Sequence, residues 1–201
     1  MIDWDAWRSE HASMTFADQQ EFYGSVAVAH PHQQCFDLPH ARSTFDHISG
    51  LIGFLPPDWP GLNVIELGGW DGALADALVS RDDISSWTNY DLAEVPQVCT
   101  STKYRLEVLS DYFWNRNLTY VPDVFVACHT IEHLTGAELE QLFDVLQVKF
   151  IYLQAPIVKQ SGQTWNGYVG SHILELGWDA IDELLVARGY VVCGPHLWRQ
   201  A

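Results

Sequence analysis

The stretch NVIELGGWDGALADAL, Asn63 to Leu78, decides how the chain is read. Val64, Ile65 and Leu67 form a short apolar strand pattern that carries Glu66 near its end. Gly68, Gly69 and Gly72 crowd the turn that follows, and Ala73 to Leu78 have helix-forming composition. Glycine adopts positive φ without steric cost and lets another group approach the backbone closely. A strand, a glycine turn and a helix N-terminus in this order are how α/β proteins hold nucleotide-like ligands.

Working outward, the chain alternates. Strand patterns fall at Asn63–Leu67, Trp87–Asp91, Tyr104–Leu109, Asp123–Cys128, Phe150–Gln154 and Tyr190–Cys193. Helix patterns fall at Asp71–Ser80, Glu94–Thr100, Gly136–Gln147 and Trp178–Arg188. Runs such as VFVAC and FIYLQ lack strict alternation, as expected of strands covered on both faces. The expectation is an α/β fold with a mainly parallel sheet flanked by helices, its ligand at the carboxyl ends of strands one, two and four. Upstream, residues 1–60 are helical and aromatic-rich, with Trp4, Trp7, Phe16, Phe22 and Tyr23 followed by Phe45, Ile48, Leu51, Ile52 and Leu55. They read as an N-terminal helical cap over the ligand site of a core at 61–201, together one domain of 201 residues. The breaker PPDWPG, Pro56 to Gly61, separates the two.

Composition narrows the function classes. With 48% hydrophobic residues a globular fold is expected. No apolar run approaches the ~20 residues of a membrane span, and the N-terminus MIDWDAWRSEH has no apolar signal region. Cys35, Cys99, Cys128 and Cys193 are scattered without a CxxC pair, which suits a reduced, cytoplasmic protein lacking a cysteine zinc site. Ten Lys plus Arg stand against 26 Asp plus Glu, a net charge of −16. Nucleic-acid binders need a basic face, so a small-molecule partner is expected rather than DNA or RNA. Nothing in the sequence sets the oligomeric state.

Three acids fall near strand ends: Glu66, Asp91 and Asp111. Asp91, about 20 residues beyond the glycine turn, is placed to accept both hydroxyls of a ribose; capping of the next segment is the alternative. The motif order separates cofactor classes. A dinucleotide site takes GxGxxG, with phosphate on the helix N-terminus. Here the acid comes first, as ExGGWDG, and Asp71 stands at the helix start. A carboxylate there repels pyrophosphate, disfavouring a nicotinamide-dependent oxidoreductase. It welcomes a cationic ligand such as S-adenosylmethionine, which has an ammonium, a sulfonium and a ribose but no phosphate.

Taken in sequence, these pieces resemble the class I S-adenosylmethionine-dependent methyltransferases of the small, minimal, Rossmann-like type. VIELGGWDG resembles the first motif, NYDLAE the second and LSDYFW the loop that clasps adenine. DVFVACHTIEHL resembles the fourth-strand motif, and HILELGWDAIDELLVARGYVV the closing helix and sixth strand. The resemblance implies a cofactor site formed by Glu66, Gly68, Gly69, Trp70, Asp71, Gly72, Asp91, Leu92, Asp111, Tyr112 and His129. The chain departs from it at Trp70, where the family commonly has glycine, and at its end. Only GPHLWRQA follows strand six, so a seventh strand is expected to be missing or shortened.

HTIEHL, His129 to Leu134, is chemically the richest stretch. His129, Glu132 and His133 follow an i, i+3, i+4 pattern that a helical turn places on one face. His172 lies in the segment that the family returns over the active site. Three roles stay open. His129 or His172 serves as general base on a substrate hydroxyl; or His129, Glu132, His133 and His172 hold a divalent metal, as similar clusters do in some RNA-end and catechol-type relatives; or the turn is structural. A metal at His30, His32 and His40 is disfavoured, and Trp165 sits in a Gly-rich loop able to close over substrate. The favoured function is methyl transfer to a small-molecule hydroxyl, with no metal. A catalytically silent binding module is the alternative.

Overall fold

The computed structural model describes residues 14–29, 36–53, 59–118, 120–155, 174 and 176–201. Trp4, Trp7, His30, His32, Cys35, Leu55, Pro56, Trp165 and His172 lie outside the described residues. In chain order the elements are α1 (Phe16–Ala29), α2 (Leu38–Ile52), β1 (Leu62–Leu67), α3 (Ala73–Leu78), β2 (Ile84–Asp91) and β3 (Tyr104–Val108). They continue with β4 (Val124–Cys128), α4 (Gly136–Val145), β5 (Phe150–Gln154), α5 (Trp178–Val186), β6 (Tyr190–Gly194) and β7 (Leu197–Gln200). Short 3-10 turns sit at Phe113–Asn115 and Ile131–His133.

The seven strands form one sheet in the order β3-β2-β1-β4-β5-β7-β6. All pairings are parallel except those of β7, which runs antiparallel to β5 and to β6. The strand order reverses between β1 and β4, so a crevice opens at their carboxyl ends. The sheet separates two apolar layers. On one side α2 and α3 pack Phe45, Ile48, Leu74 and Leu78 against Val64, Trp87, Val126 and Tyr152. On the other, α4 and α5 pack Leu139, Phe143, Ile181 and Leu185 against Ile65, Phe125, Ile151 and Trp198. Burial on both faces explains why the central strands lack alternation.

Local chemistry sets the helix starts. Asp37 caps α2 by accepting the His40 N–H at 3.1 Å, and Pro39 occupies the first turn. Thr135 and Glu138 form a reciprocal capping box at α4.

One expectation changes, and the seventh strand takes its shortened form. No helix forms over Glu94–Thr100, which has no regular structure. Pro96 lacks a donor and disfavours helical geometry in the residue before it, and the segment is pinned elsewhere: Val98 N–H donates to Asp71 O at 2.8 Å. The seventh strand is present as the four residues Leu197–Gln200, paired on both sides. Those pairings supply the backbone partners that so short a strand requires.

Candidate active site

The glycine turn lies at the reversal of strand order, and β2 stitches it in place. In WTNYD, Trp87, Asn89 and Asp91 project to one side of the strand, two residues apart. Trp87 Nε1 donates to Glu66 Oε2 at 2.8 Å. Asn89 Oδ1 accepts the Gly69 N–H at 2.9 Å, and its amide nitrogen donates to Trp70 O at 3.3 Å. Asp91 Oδ2 accepts the Trp70 N–H at 2.9 Å, and Oδ1 accepts the Ala93 N–H at 3.2 Å. The sequence singles out Asp91 but not Trp87 and Asn89, although their period of two from Asp91 is readable.

Close packing explains the glycines. Gly68 has φ 72°, and a Cβ there would overlap Thr130 Oγ1, which itself donates to Leu67 O at 2.8 Å. A Cβ on Gly69 would come within 2.5 Å of the Glu66 carboxylate. Gly72, φ 75°, is the N-cap residue of α3. Trp70 takes φ 50°, a left-handed geometry that favours glycine. Its ring packs with Tyr23 against Ala93 and Val95.

Four carboxylic acids are buried around this turn: Glu66, Asp71, Asp91 and Glu132. Burial pushes the Glu66 carboxyl up to about 8; the Trp87 bond opposes this, while Asp91 and Asp71 add to it. Burial likewise raises Asp91 to about 6, against the N–H groups of Ala93, Trp70 and Leu92. Such acids in a crevice favour a cationic ligand over a phosphate. Asp111 follows β3 at the same end of the sheet, where it accepts Tyr112 N–H at 2.7 Å and the Asn115 amide. Tyr112 stacks on Trp114 with centroids 4.8 Å apart. Leu92 follows Asp91 and packs in the layer of α4 and α5.

Helix α1 crosses the rim of this crevice. Phe16 meets Tyr112 edge to face at 5.2 Å, and Gln20 Nε2 donates to Leu109 O at 2.9 Å. Tyr23 joins Trp70 against Ala93 and Val95, and its ring lies 6.1 Å from that of His133. These contacts touch the ends of β2, β3 and β4. Tyr23 is the aromatic residue of the N-terminal region whose place in the site was not readable from the sequence.

His129 leaves β4 with φ 54°. Its N–H donates to Gln154 O at 2.7 Å, and Nδ1 lies 3.2 Å from Glu132 Oε1. The Glu132 side chain is 2% exposed and that of His129 21%. Burial pushes Glu132 up, but the His129 bond and the fields of His133 and His129 more than offset it, leaving the carboxyl below its usual range. The expected helical turn is a 3-10 turn at Ile131–His133. Glu132 on this turn comes beside His129, while the His133 ring meets Tyr23. Among the described residues, no group of three or more His, Cys, Asp or Glu side chains is close enough to hold a metal. No helix among them is long and apolar enough to cross a membrane. An open polar groove at β2 and β3 contains Lys103 and Arg105. Lys103 donates to the carbonyls of Arg81 and Ile84, and Arg105 to Thr88.

The architecture is that of the class I S-adenosylmethionine-dependent methyltransferases. It is similar to magnesium protoporphyrin IX methyltransferase from Synechocystis PCC 6803, solved with bound S-adenosylhomocysteine, at a TM-score of 0.59 and 11% identity. That match covers 93% of this chain and 100% of the other. It is also similar to the methyltransferase domain of a bacterial Hen1, at a TM-score of 0.53 and 16% identity, over 81% of this chain and 97% of that domain. No protein-family model matches the sequence, and neither does any curated protein.

Proposed function

We propose that the protein binds S-adenosylmethionine and transfers its methyl group to a hydroxyl of a small-molecule acceptor. The observation that carries this reading is the Asp91 carboxylate, fixed by the Trp70 and Ala93 N–H groups beside the glycine turn. It closes β2 where the ribose of a nucleoside ligand is held in sheets of this type. Magnesium protoporphyrin IX methyltransferase was solved with S-adenosylmethionine and with S-adenosylhomocysteine, which supports the same cofactor here.

In this reading Asp91 takes the ribose hydroxyls, and Asp111, Tyr112 and Leu92 border the adenine. Glu66, Asp71 and the backbone of Gly68, Gly69, Trp70 and Gly72 surround the amino-acid end. The bound cofactor supplies a methyl group already activated on a positively charged sulfur. The chain then supplies alignment, a dry crevice and a base. His129 takes the proton of the acceptor hydroxyl and leaves the electron pair on oxygen; its side chain adjoins the crevice at the end of β4. The acidic surface favours a small acceptor over nucleic acid.

One observation favours a silent binding module instead: the Trp70 side chain occupies space beside the turn, against Ala93 and Val95. Thermal shift with S-adenosylmethionine, S-adenosylhomocysteine and NAD in parallel tests the cofactor. Stabilisation by the first two and not by NAD is expected; stabilisation by NAD alone would sink the reading. Release of S-adenosylhomocysteine with candidate phenols and carboxylic acids then separates an enzyme from a module, and methylation of the phenols is expected.

A further inference from the structure

We infer that Gln97 is a positioning residue: it fixes the backbone of Trp70 at the crest of the glycine turn and, through it, the Asp91 carboxylate. The inference rests on the reading of Asp91 as the ribose acid. Trp70 takes φ 50°, where an L side chain is strained. Such strain persists only where the surrounding structure imposes it. Here both backbone polar groups of Trp70 are held from outside the turn. Its N–H donates to Asp91 Oδ2 at 2.9 Å. Its carbonyl accepts Gln97 Nε2 at 3.1 Å and Asn89 Nδ2 at 3.3 Å. Asp91 and Asn89 stand on β2, which is paired along both edges. Gln97 comes instead from a segment with no regular structure.

The Gln97 amide is fully committed. Nε2 donates to Val95 O at 2.8 Å as well as to Trp70 O, and Oε1 accepts the Tyr104 hydroxyl. A reversed amide would set its oxygen against two carbonyl oxygens, so the nitrogen must face Trp70. The Tyr104 hydroxyl in turn accepts Asn89 Nδ2 at 3.3 Å. Trp70, Gln97, Tyr104 and Asn89 thus close a ring of hydrogen bonds, in which each bond polarises the next. The ring packs directly against Gly72, where a Cβ would lie 2.7 Å from the Tyr104 hydroxyl and 3.0 Å from Gln97 Oε1.

The same role explains why no helix forms after β2. Ala93, Val95 and Cys99 are buried and Gln97 is half-buried, while Glu94, Pro96 and Val98 are exposed. That is a period of two. A helix, with 3.6 residues per turn, would swing Gln97 away from the side that Ala93 and Val95 share. Ala93 and Val95 pack against the Trp70 side chain, and Val98 N–H donates to Asp71 O at 2.8 Å. The segment is a strap across Trp70 and Asp71, and Gln97 is its polar clasp. With the clasp removed, Trp70 relaxes toward negative φ and carries its N–H off Asp91.

The test is isothermal calorimetry with S-adenosylhomocysteine on four forms of the full chain: wild type, Gln97→Leu, Trp70→Gly and the double variant. Glycine takes left-handed geometry without steric cost, so Trp70→Gly removes the strain that Gln97 restrains. Gln97→Leu should weaken binding about fivefold or more in the wild-type background, and less than about twofold in the Trp70→Gly background. A residue that only stabilised the fold would give the same loss in both. Equal losses, or wild-type affinity in Gln97→Leu, overturn the inference. Site-resolved hydrogen exchange of the Trp70 amide in ligand-free protein gives a second readout. That amide should be protected in wild type and exchange faster in Gln97→Leu, with β1 and β4 unchanged; an unaltered Trp70 amide also overturns the inference. If wild type binds neither S-adenosylhomocysteine nor S-adenosylmethionine, the cofactor reading falls and the Trp70 amide alone decides the positioning. If Gln97→Leu does not fold, Gln97→Glu replaces it, because its carboxylate keeps the Tyr104 bond and cannot donate to Trp70 O.

Discussion

The Asp91 carboxylate accepts the backbone N–H of Trp70 at 2.9 Å and so ties the end of β2 to the crest of the glycine turn. Its second oxygen holds Ala93 N–H at 3.2 Å. The same group thus shapes the turn and presents the remaining lone pairs of both oxygens to a ligand.

Removing it should therefore damage binding twice over. Hydrogen bonds to a charged group contribute about 1.5–3 kcal/mol each. Asp91→Ala should weaken S-adenosylhomocysteine binding at least tenfold in isothermal calorimetry. Asp91→Asn should also weaken it, because its amide cannot accept both N–H groups through carbonyl oxygen alone. Wild-type affinity in Asp91→Ala would remove the ribose assignment.

The raised acids predict an unusual pH dependence. In the folded, ligand-free protein Glu66 titrates at about 8 and Asp91 at about 6, against ~4.3 and ~3.9 for unfolded chains. Between those limits the folded state binds more protons than the unfolded, so stability falls as pH rises. The melting temperature of the ligand-free protein should decline from pH 5 to pH 8. Glu66→Gln keeps an acceptor for Trp87 Nε1 and loses the ionisation. Its stability relative to wild type should grow across that window and level off above pH 8. A constant difference from pH 5 to pH 8 would show that Glu66 is not the group responsible.

Among the described residues, Gly68 is the glycine with least room. Alanine there must hold φ 72° and overlap Thr130 Oγ1, whose bond to Leu67 O fixes it in place. Overpacking plus a left-handed alanine should cost about 2–4 kcal/mol in urea unfolding. Thr130→Gly in the same chain should recover part of that loss, because it frees the space and leaves only the backbone strain. Two fully additive losses would show that the two residues do not collide.

Much of this architecture was legible because it repeats along the chain. Strand and helix patterns from β1 to β6 alternate, and a sheet buried on both faces writes itself as runs like VFVAC. Asp91 was legible because a fixed distance separates it from the glycine turn. Three features were not. The segment Glu94–Thr100 has helix-like apolar spacing, yet Pro96 and the bond to the Asp71 carbonyl keep it out of a helix. The seventh strand is only four residues long, too short for a pattern, and its place between β5 and β6 is a tertiary fact. The seat of Tyr23 depends on a helix more than 60 residues from the strand ends it covers, and local periodicity carries no such information.

That seat gives the last prediction. Helix α1 rests on the rim through Phe16 on Tyr112, Gln20 on Leu109 O, and Tyr23 with Trp70 on Ala93 and Val95. Among its described residues, the partly buried Phe16 alone joins either main apolar layer. A segment with few core contacts opens at less free energy than the sheet does. Tyr23 packs against Ala93, whose N–H is held by Asp91, so a ligand at Asp91 should be sensitive to its loss. Hydrogen exchange of α1 should therefore be faster than that of α4 in the free protein, and S-adenosylhomocysteine should slow it. Tyr23→Ala should speed α1 exchange further and weaken cofactor binding about fivefold or more, leaving exchange of β1 and β4 unchanged. If Tyr23→Ala alters neither the exchange of α1 nor the affinity, then α1 is a fixed part of the fold and not a lid over the cofactor crevice.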